Sequence, residues 1–164
     1  MPAVFVAVLM GSDSDLPVMQ DTVDLLDKLN IGYEVRITSA HRTPEDTREY
    51  VQDAEKRGCA VFIAGAGMAA HLAGAVAAHT IRPVIGVPID SGPLQGFDAL
   101  LSTVQMPGGI PVAGMAIGKS GAKNAAYLAA QIIAINDEDL KNVLEDERAA
   151  NAESIRQKNR DLIR

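Results

Sequence analysis

Ser39-Ala40-His41-Arg42-Thr43-Pro44-Glu45 sets an imidazole beside a guanidinium where a strand gives way to a helix. A β-type run, Tyr33 to Ile37, precedes this stretch, and a helical pattern begins at the proline. Thr43 is expected to cap that helix. Pro44 suits its first turn, and Glu45 with Asp46 complements its dipole. Free backbone N–H groups at such a turn attract an anion, and imidazole titrates near neutral pH. The stretch can therefore hold an anion and move a proton beside it. A solvated turn that happens to contain His and Arg is the plainer reading, and the heptapeptide alone does not separate the two.

Other turns add to it. Gly11-Ser12-Asp13-Ser14-Asp15 offers two hydroxyls, two carboxylates and a helix N-terminus. Serine hydroxyls and backbone N–H groups suit a phosphate, and an aspartate suits the vicinal hydroxyls of a ribose. It is not a Walker loop, because no Gly-Lys-Ser/Thr closes it. Taken alone it reads as a helix cap with spare polar residues. Gly65-Ala66-Gly67-Met68-Ala69-Ala70 fits G-x-G-x-x-A after a strand, the pattern that binds dinucleotides in Rossmann proteins. Any tight strand-to-helix turn prefers such residues, and this alternative leaves Ser39 to Arg42 unexplained. His71 falls just beyond the glycines, where it can face the same site. His79 reads as a helix C-terminal residue, and Lys119 as an exposed lysine in a turn shaped like an anion nest. The three histidines share no close metal-ligand spacing, so no metal is expected.

The elements that must position these turns alternate regularly. Ala3 to Met10, Tyr33 to Ile37, Ala60 to Ala64, Val84 to Ile89 and Val112 to Ile117 read as strands. Helices are expected from Leu16-Pro17 to about Leu29, with Val18, Leu25, Leu26 and Leu29 on one stripe, and from Pro44 to about Lys56. Further helices are expected over Met68 to His79, Phe97 to Val104, and from the Gly118-Lys119-Ser120-Gly121 turn to near Asn136. Gln105 to Gly109 is too rich in Gly and Pro to be either element. Five strand–helix units in succession imply a parallel sheet covered on both faces by right-handed crossovers. Ligands of such sheets bind outside the carboxyl ends of the strands, the edge that carries these turns.

The 164 residues suit one domain with a sizeable core. Aromatics make up only 4% and tryptophan is absent, so small aliphatic residues must fill that core between closely packed elements. A net charge of −6 argues against non-specific nucleic-acid binding and against an anionic membrane surface. An anionic ligand must be held by local donors. Cys59, the single cysteine, rules out a disulfide framework and reads as a buried structural thiol. No apolar run approaches membrane-spanning length, and Met1-Pro2-Ala3 lacks the basic start of a secretory leader, so the cytoplasm is the expected compartment. Half of residues 137–164 are charged, and their apolar stripe (Leu140, Val143, Leu144, with Ile155, Leu162 and Ile163 scattered beyond) is thin. Such a helix is barely stable alone and is expected either to fray or to lie on another subunit.

Together the turns resemble a known family. Met10-Gly11-Ser12-Asp13-Ser14-Asp15, Ser39-Ala40-His41-Arg42-Thr43-Pro44, Ala64-Gly65-Ala66-Gly67 and Ala69-Ala70-His71-Leu72 are similar to motifs of the N5-carboxyaminoimidazole ribonucleotide mutases. So are Gly86-Val87-Pro88, Val104-Gln105-Met106-Pro107 and Ala116-Ile117-Gly118, and the resemblance covers about Val4 to Asn136. It implies a flavodoxin-like three-layer αβα sandwich with a five-stranded parallel sheet and a C-terminal helical extension. Residues 1–136 would form the catalytic domain, and residues 137–164 a helix packing on neighbouring subunits of a homo-octamer with shared active sites. It implies a cytoplasmic, bacterial-type enzyme of de novo purine (IMP) biosynthesis. By motif, Ser12, Asp15 and Arg42 would bind substrate, Ser14 and Ser39 would help hold its phosphate, and Asp15 its ribose. His41 would be the general acid–base. Gly65, Ala66, Gly67, His71 and Leu72 would enclose the aminoimidazole and the migrating carboxylate.

The implied reaction shifts a carboxylate from the exocyclic nitrogen to ring carbon four, with neither ATP, metal nor other cofactor. The nucleotide substrate would come from an ATP-dependent carboxylating synthetase. Two residues depart from the family pattern: Met68 stands where a glycine is usual, and Ala73 where a proline is usual. Two alternatives stay beside the mutase: a direct carboxylase of aminoimidazole ribonucleotide, and a non-catalytic flavodoxin-like nucleotide-binding module. The animal-type carboxylase has a different glycine loop, so Gly65-Ala66-Gly67 favours the mutase.

Overall fold

β1 (Phe5–Met10) forms the centre of the structure, and its residues from Val6 to Met10 are completely shielded from solvent. That burial explains its unbroken apolar sequence, because a strand covered on both faces has no polar side to show. The computed structural model describes residues 4–162. The readings that touch Met1 to Ala3 and Ile163 lie outside it.

After a 3₁₀ turn at Asp13–Asp15 the chain enters α1 (Leu16–Lys28), with Pro17 in the first turn where its missing N–H does no harm. β2 (Gly32–Ile37) pairs with β1 as an exposed edge strand. α2 (Pro44–Arg57) starts with Glu45 and Asp46, ends with Lys56 and Arg57, and stops at Gly58, whose φ of 105° suits a residue without a β-carbon. β3 (Cys59–Gly67), α3 (Leu72–Ala77), β4 (Val84–Ile89), α4 (Phe97–Val104), β5 (Ala113–Gly114), α5 (Lys119–Ala134) and α6 (Glu138–Leu162) follow. All strands are parallel, in the order β2-β1-β3-β4-β5. This is the flavodoxin-like arrangement, in which the strand order reverses between β1 and β3.

The sheet separates two apolar layers. Val6, Val8 and Met10 of β1, Val61 and Ile63 of β3, and Ile85, Val87 and Ile89 of β4 pack against α1 and α5. Ala7, Leu9, Phe62, Ala64 and Val84 face α2 and α3 instead. Alanines supply the buried face of α5, with Ala122, Ala125, Ala126, Ala129 and Ala130 fully covered, so α5 lies close to α1. There the Thr22 hydroxyl donates to the Ala122 carbonyl at 2.8 Å, a buried bond between two helices. Cys59 is buried; its thiol donates to the Val61 carbonyl at 3.3 Å, and burial pushes its pKa up to about 11.

α6 has two halves. Asp137 caps it through the Leu140 N–H, Leu140 and Leu144 enter the α1–α5 layer, and Glu147 accepts an ion pair from Lys28. From Arg148 to Leu162 every residue is exposed. The first two turns therefore belong to this chain's own core. No helix among the described residues is long and apolar enough to cross a membrane.

The structure corrects four sequence readings. Gly65–Gly67, read as a turn, extend β3, because β4 runs beside them with Gly65 opposite Val87 and Gly67 opposite Ile89. The helix expected from Met68 to His79 is only Leu72–Ala77: Met68 has a φ of 54°, and the Ala70 and His71 N–H groups reach back just two residues. The strand expected over Val112–Ile117 is limited to Ala113–Gly114. On that side Gly86 accepts from Met115 and Pro88 accepts from Gly118, but Pro88 has no N–H to return, so the ladder stops. Thr43 occupies the cap position of α2 without a side-chain cap bond. Its hydroxyl accepts from the Ser39 N–H at 3.0 Å instead.

Gly121, inside the first turn of α5, tests how tightly these layers close. A β-carbon there would lie 1.7 Å from the Ala116 carbonyl oxygen, which is backbone and cannot swing aside. Gly121→Ala should destabilise by about 1–3 kcal/mol despite alanine's better helix propensity, lowering the unfolding midpoint by about 2–4 °C per kcal/mol. A calorimetric midpoint at or above that of the parent would refute the close approach.

Candidate functional site

At the carboxyl ends of β1, β3 and β4 the sheet opens into a cleft of about 390 Å³. Its walls come from Gly11 to Asp15, Ser39 to Arg42, Ala66 to Leu72, and Ser91. Three of these segments are strand-to-helix turns, and β3 supplies its floor at Ala66 and Gly67. The cleft lies where the strand order reverses, as the topology requires.

The first wall is a capping box in miniature. Ser12 caps the 3₁₀ turn: its hydroxyl accepts from the Ser14 N–H at 3.3 Å and from the Ser14 hydroxyl at 2.9 Å. Asp15 answers by accepting the Ser12 N–H at 3.0 Å. Asp15 is only 5% exposed, and that burial raises its pKa above the ordinary 3.8, against the pull of the Ser12 and Gly11 N–H groups. A carboxylate kept this dry has strong reason to accept hydrogen bonds from hydroxyl groups entering the cleft.

The second wall holds His41 and Arg42 by hydroxyls rather than by packing. Ser39 Oγ accepts from the His41 N–H at 3.3 Å and the Arg42 N–H at 3.1 Å. Thr43 Oγ1 accepts from Ser39 N and lies 3.4 Å from Thr38 Oγ1. Thr38 Oγ1 in turn lies 2.6 Å from Thr47 Oγ1, both residues being buried. A chain of three hydroxyls, on Thr47, Thr38 and Thr43, thus runs from the core to the backbone N–H of Ser39. His41 and Arg42 remain exposed, and Arg42 pairs with no carboxylate among the described residues. In a chain of net charge −6, an unpaired guanidinium at a cleft is a local anion site.

The third wall closes on the second. His41 Nε2 lies 2.7 Å from His71 Nδ1, with the rings edge to face at 83° and their centroids 4.8 Å apart. One proton must sit between these nitrogens, donated by one ring and accepted by the other. Two imidazoles joined in this way can pass a proton to a third group within hydrogen-bond reach.

Ser12, Ser14, Asp15, Ser39, His41, Arg42, Ala66, Gly67, His71 and Leu72 all line the cleft. Gly65 does not. It is buried beneath it, where a β-carbon would lie 2.4 Å from Met19 Sδ, so its lack of a side chain lets Met19 pack against β3. Sequence reasoning missed Ser91, which follows the carboxyl end of β4 and whose hydroxyl fills the space a Gly67 side chain would need, 2.4 Å from that β-carbon position. A polar residue at the end of a buried parallel strand was the available signal. Lys119 and His79 are not part of the lining. Among the described residues no group of three or more His, Cys, Asp or Glu is arranged to hold a metal ion.

Comparison with known proteins gives a consistent result. The model of the AIR carboxylase family matches residues 5–154. The N5-carboxyaminoimidazole ribonucleotide mutase of Bacillus subtilis (strain 168) is 51% identical over 158 residues, which cover 96% of this chain and 98% of that protein. The protein of the same name from Escherichia coli (strain K12) is 50% identical over 92% of this chain and 89% of its own. The crystal structure of Treponema denticola PurE has a TM-score of 0.89 at 31% identity, over 98% of this chain and 99% of that one.

The buried carboxyl of Asp15 has a consequence for stability. Its folded-state pKa is raised by burial, so the folded protein holds that proton more tightly than the unfolded chain does. Its contribution to stability therefore falls as pH rises from the ordinary carboxylate value through the raised one, and stays low above it. Asp15→Asn keeps an acceptor for the Ser12 N–H but carries no charge. The variant should unfold at a higher temperature than the parent at pH 7, with the gap closing below about pH 4, where the parent carboxyl is also neutral. Thermal scans across that range decide it, and an Asn variant less stable at pH 7 would count against burial as the dominant effect.

Proposed function

The chain belongs to the AIR carboxylase family, and from that premise we propose that it is an isomerase that converts N5-carboxyaminoimidazole ribonucleotide to 4-carboxyaminoimidazole ribonucleotide in purine biosynthesis. The observation that carries this reading is the His41–His71 pair in a cleft that also presents Arg42, the Ser12–Ser14 turn and Asp15. Charge-assisted contacts to Arg42, with the hydroxyls of Ser12, Ser14 and Ser39, suit the phosphate of a nucleotide. Asp15 suits the ribose hydroxyls. Ala66, Gly67, His71 and Leu72 leave a narrow slot, partly apolar, for the base.

In this proposal the carbamate C–N bond breaks with its electrons left on nitrogen, which takes a proton from His41. Carbon dioxide stays in the slot. Carbon four of the ring then attacks it, and the now neutral His41 removes the proton from that carbon. One histidine serves both steps because protons given and taken balance, and no ATP is consumed. His71, bonded to His41 before substrate arrives, fixes the orientation of the catalytic ring.

The outer face of α4 exposes Phe97, Leu101 and Val104 at 64%, 57% and 43%, one apolar stripe at helical spacing. Ile155 and Leu162 are exposed on the second half of α6. Such surface is large for a monomer and favours the octamer that the resemblance implies, with α6 lying on neighbouring chains in the cytoplasm. A carboxylating synthetase would supply the substrate.

Purified protein given the carbamate nucleotide without ATP should form the carbon-linked product, read by the change in ultraviolet absorbance. His41→Asn should still bind nucleotide within about tenfold while losing conversion by about a hundred- to ten-thousandfold, the usual share of a general acid–base. His71→Asn should lose less. Turnover by His41→Asn at a tenth of the parent rate would reassign the acid–base. Product formation only from the uncarboxylated nucleotide plus bicarbonate would make the enzyme a direct carboxylase.

Truncation after Arg148 removes the part of α6 that buries nothing on its own chain. The truncated chain should stay folded yet sediment as a smaller particle, since its core residues Leu140 and Leu144 remain. Unchanged sedimentation would mean that this segment is not an assembly element.

A further inference from the structure

Ser91 lines the cleft, yet the reaction as described gives it no task. Among the described residues the lining hydroxyls are those of Ser12, Ser14, Ser39 and Ser91. The first three are engaged: Ser12 and Ser14 with each other, Ser12 also with Asp13, and Ser39 with the His41 and Arg42 N–H groups. Ser91 Oγ has no hydrogen-bond partner among the described residues, although the residue is partly buried and its side chain lies against Gly67. Such a hydroxyl keeps a donor and an acceptor for whatever fills the cleft.

Its place follows from the sheet. The Ser39–Arg42 turn follows β2, Gly11–Asp15 follow β1, Ala66 and Gly67 end β3, and Ser91 comes just after β4. Because the strands run in the order β2-β1-β3-β4, Ser91 and the Arg42 turn stand at opposite ends of the row. At roughly 4.8 Å between strands, those ends are about 14 Å apart, a span comparable with a mononucleotide. The alternation of β3 fixes the side. Val61 and Ile63 point into the α1–α5 layer, so a side chain at Gly67 would too, and Ser91 Oγ occupies that direction. His71 opens α3, whose Leu72 packs in the opposite layer. A ring resting on Ala66 and Gly67 therefore has His71 on one side and Ser91 on the other.

With its phosphate at Arg42 and the Ser12–Ser14 turn, a nucleotide directs its base toward β3 and β4. We propose, resting on the mutase reading above, that the Ser91 hydroxyl donates a hydrogen bond to the migrating carboxylate and so distinguishes carboxylated from uncarboxylated nucleotide. The chemistry favours a neutral donor at this point. A cation would stabilise the carboxylate before reaction and lose that contact as neutral carbon dioxide forms, which raises the barrier. A hydroxyl holds the anion less strongly and can rotate to follow it from nitrogen to carbon. It keeps its own proton throughout; His41 gives and takes those of the reaction.

Ser91→Ala keeps the β-carbon that rests beside Gly67 and removes only the oxygen, so its unfolding midpoint should stay near that of the parent. Calorimetry on both proteins measures binding of the carbon-linked product and of the uncarboxylated aminoimidazole nucleotide, which share phosphate, ribose and ring. Affinity of the variant for the carboxylated ligand should fall by about tenfold to a hundredfold, as loss of a hydrogen bond to a charged group implies. Affinity for the uncarboxylated ligand should change by less than about twofold. Equal loss for both ligands would make Ser91 a residue that only shapes the floor, and unchanged affinity for both would make it a bystander. Either result, with the parent converting substrate, overturns the carboxylate contact and leaves the mutase reading intact. No conversion by the parent would overturn both.

Discussion

Everything chemical in this chain depends on one constraint of chain geometry. A parallel strand must be followed by a crossover, and the crossovers flanking β1 go to opposite faces of the sheet: α1 covers one layer and α2 the other. Between those departures the turns after β1 and β3 diverge and leave a crevice no side chain of the core fills. Ser12, Ser14 and Asp15, Ser39 to Arg42, and His71 occupy its walls because the turns that carry them lie at that end of the sheet. The cleft is thus a consequence of sheet order, and the sequence decides only what lines it.

How the walls are held explains how the site can be both exposed and ordered. His41 and Arg42 are exposed, yet hydrogen bonds through Ser39 and Thr43 tie their turn to the buried hydroxyls of Thr38 and Thr47. On the opposite wall Ser12 and Asp15 satisfy each other's orphan groups. Hydroxyl networks of this kind fix position without adding charge, so the charge of Arg42 and the protons of the histidine pair stay available to a ligand. Glycines play a different part: Gly65 and Gly67 allow Met19 and Ser91 to come against β3, which draws the floor of the cleft tight.

Much of this was legible in the amino-acid order. Strands buried on both faces, such as β1 and β4, announce themselves by unbroken apolar runs, and α2 by its proline, charge asymmetry and terminal glycine. The polar turns could be assigned to one edge of the sheet from alternation alone. What could not be read was set by partners distant in sequence. β3 outruns its apolar segment because β4 lies alongside, β5 stops because Pro88 lacks a donor on the neighbouring strand, and the helix expected from Met68 fails because that residue is left-handed. Ser91 had the signal of its place after a buried parallel strand, but its closeness to Gly67 depends on a neighbouring strand distant in sequence. Thr43 satisfies a cap pattern yet turns its hydroxyl toward Ser39, a choice that depends on the fold of the preceding turn. The two halves of α6 likewise differ in surroundings more than in composition.

The single thiol at the start of β3 has a consequence of another kind. Cys59 lies under α2, wholly covered, and its sulfur is kept protonated by its surroundings. Alkylation must therefore await an excursion that parts β3 from the helices above it and lets the thiol ionise. In native conditions the labelling rate of this one atom counts such openings directly. The chain carries its own clock for how often its central layer comes apart, with no second cysteine to confuse the reading.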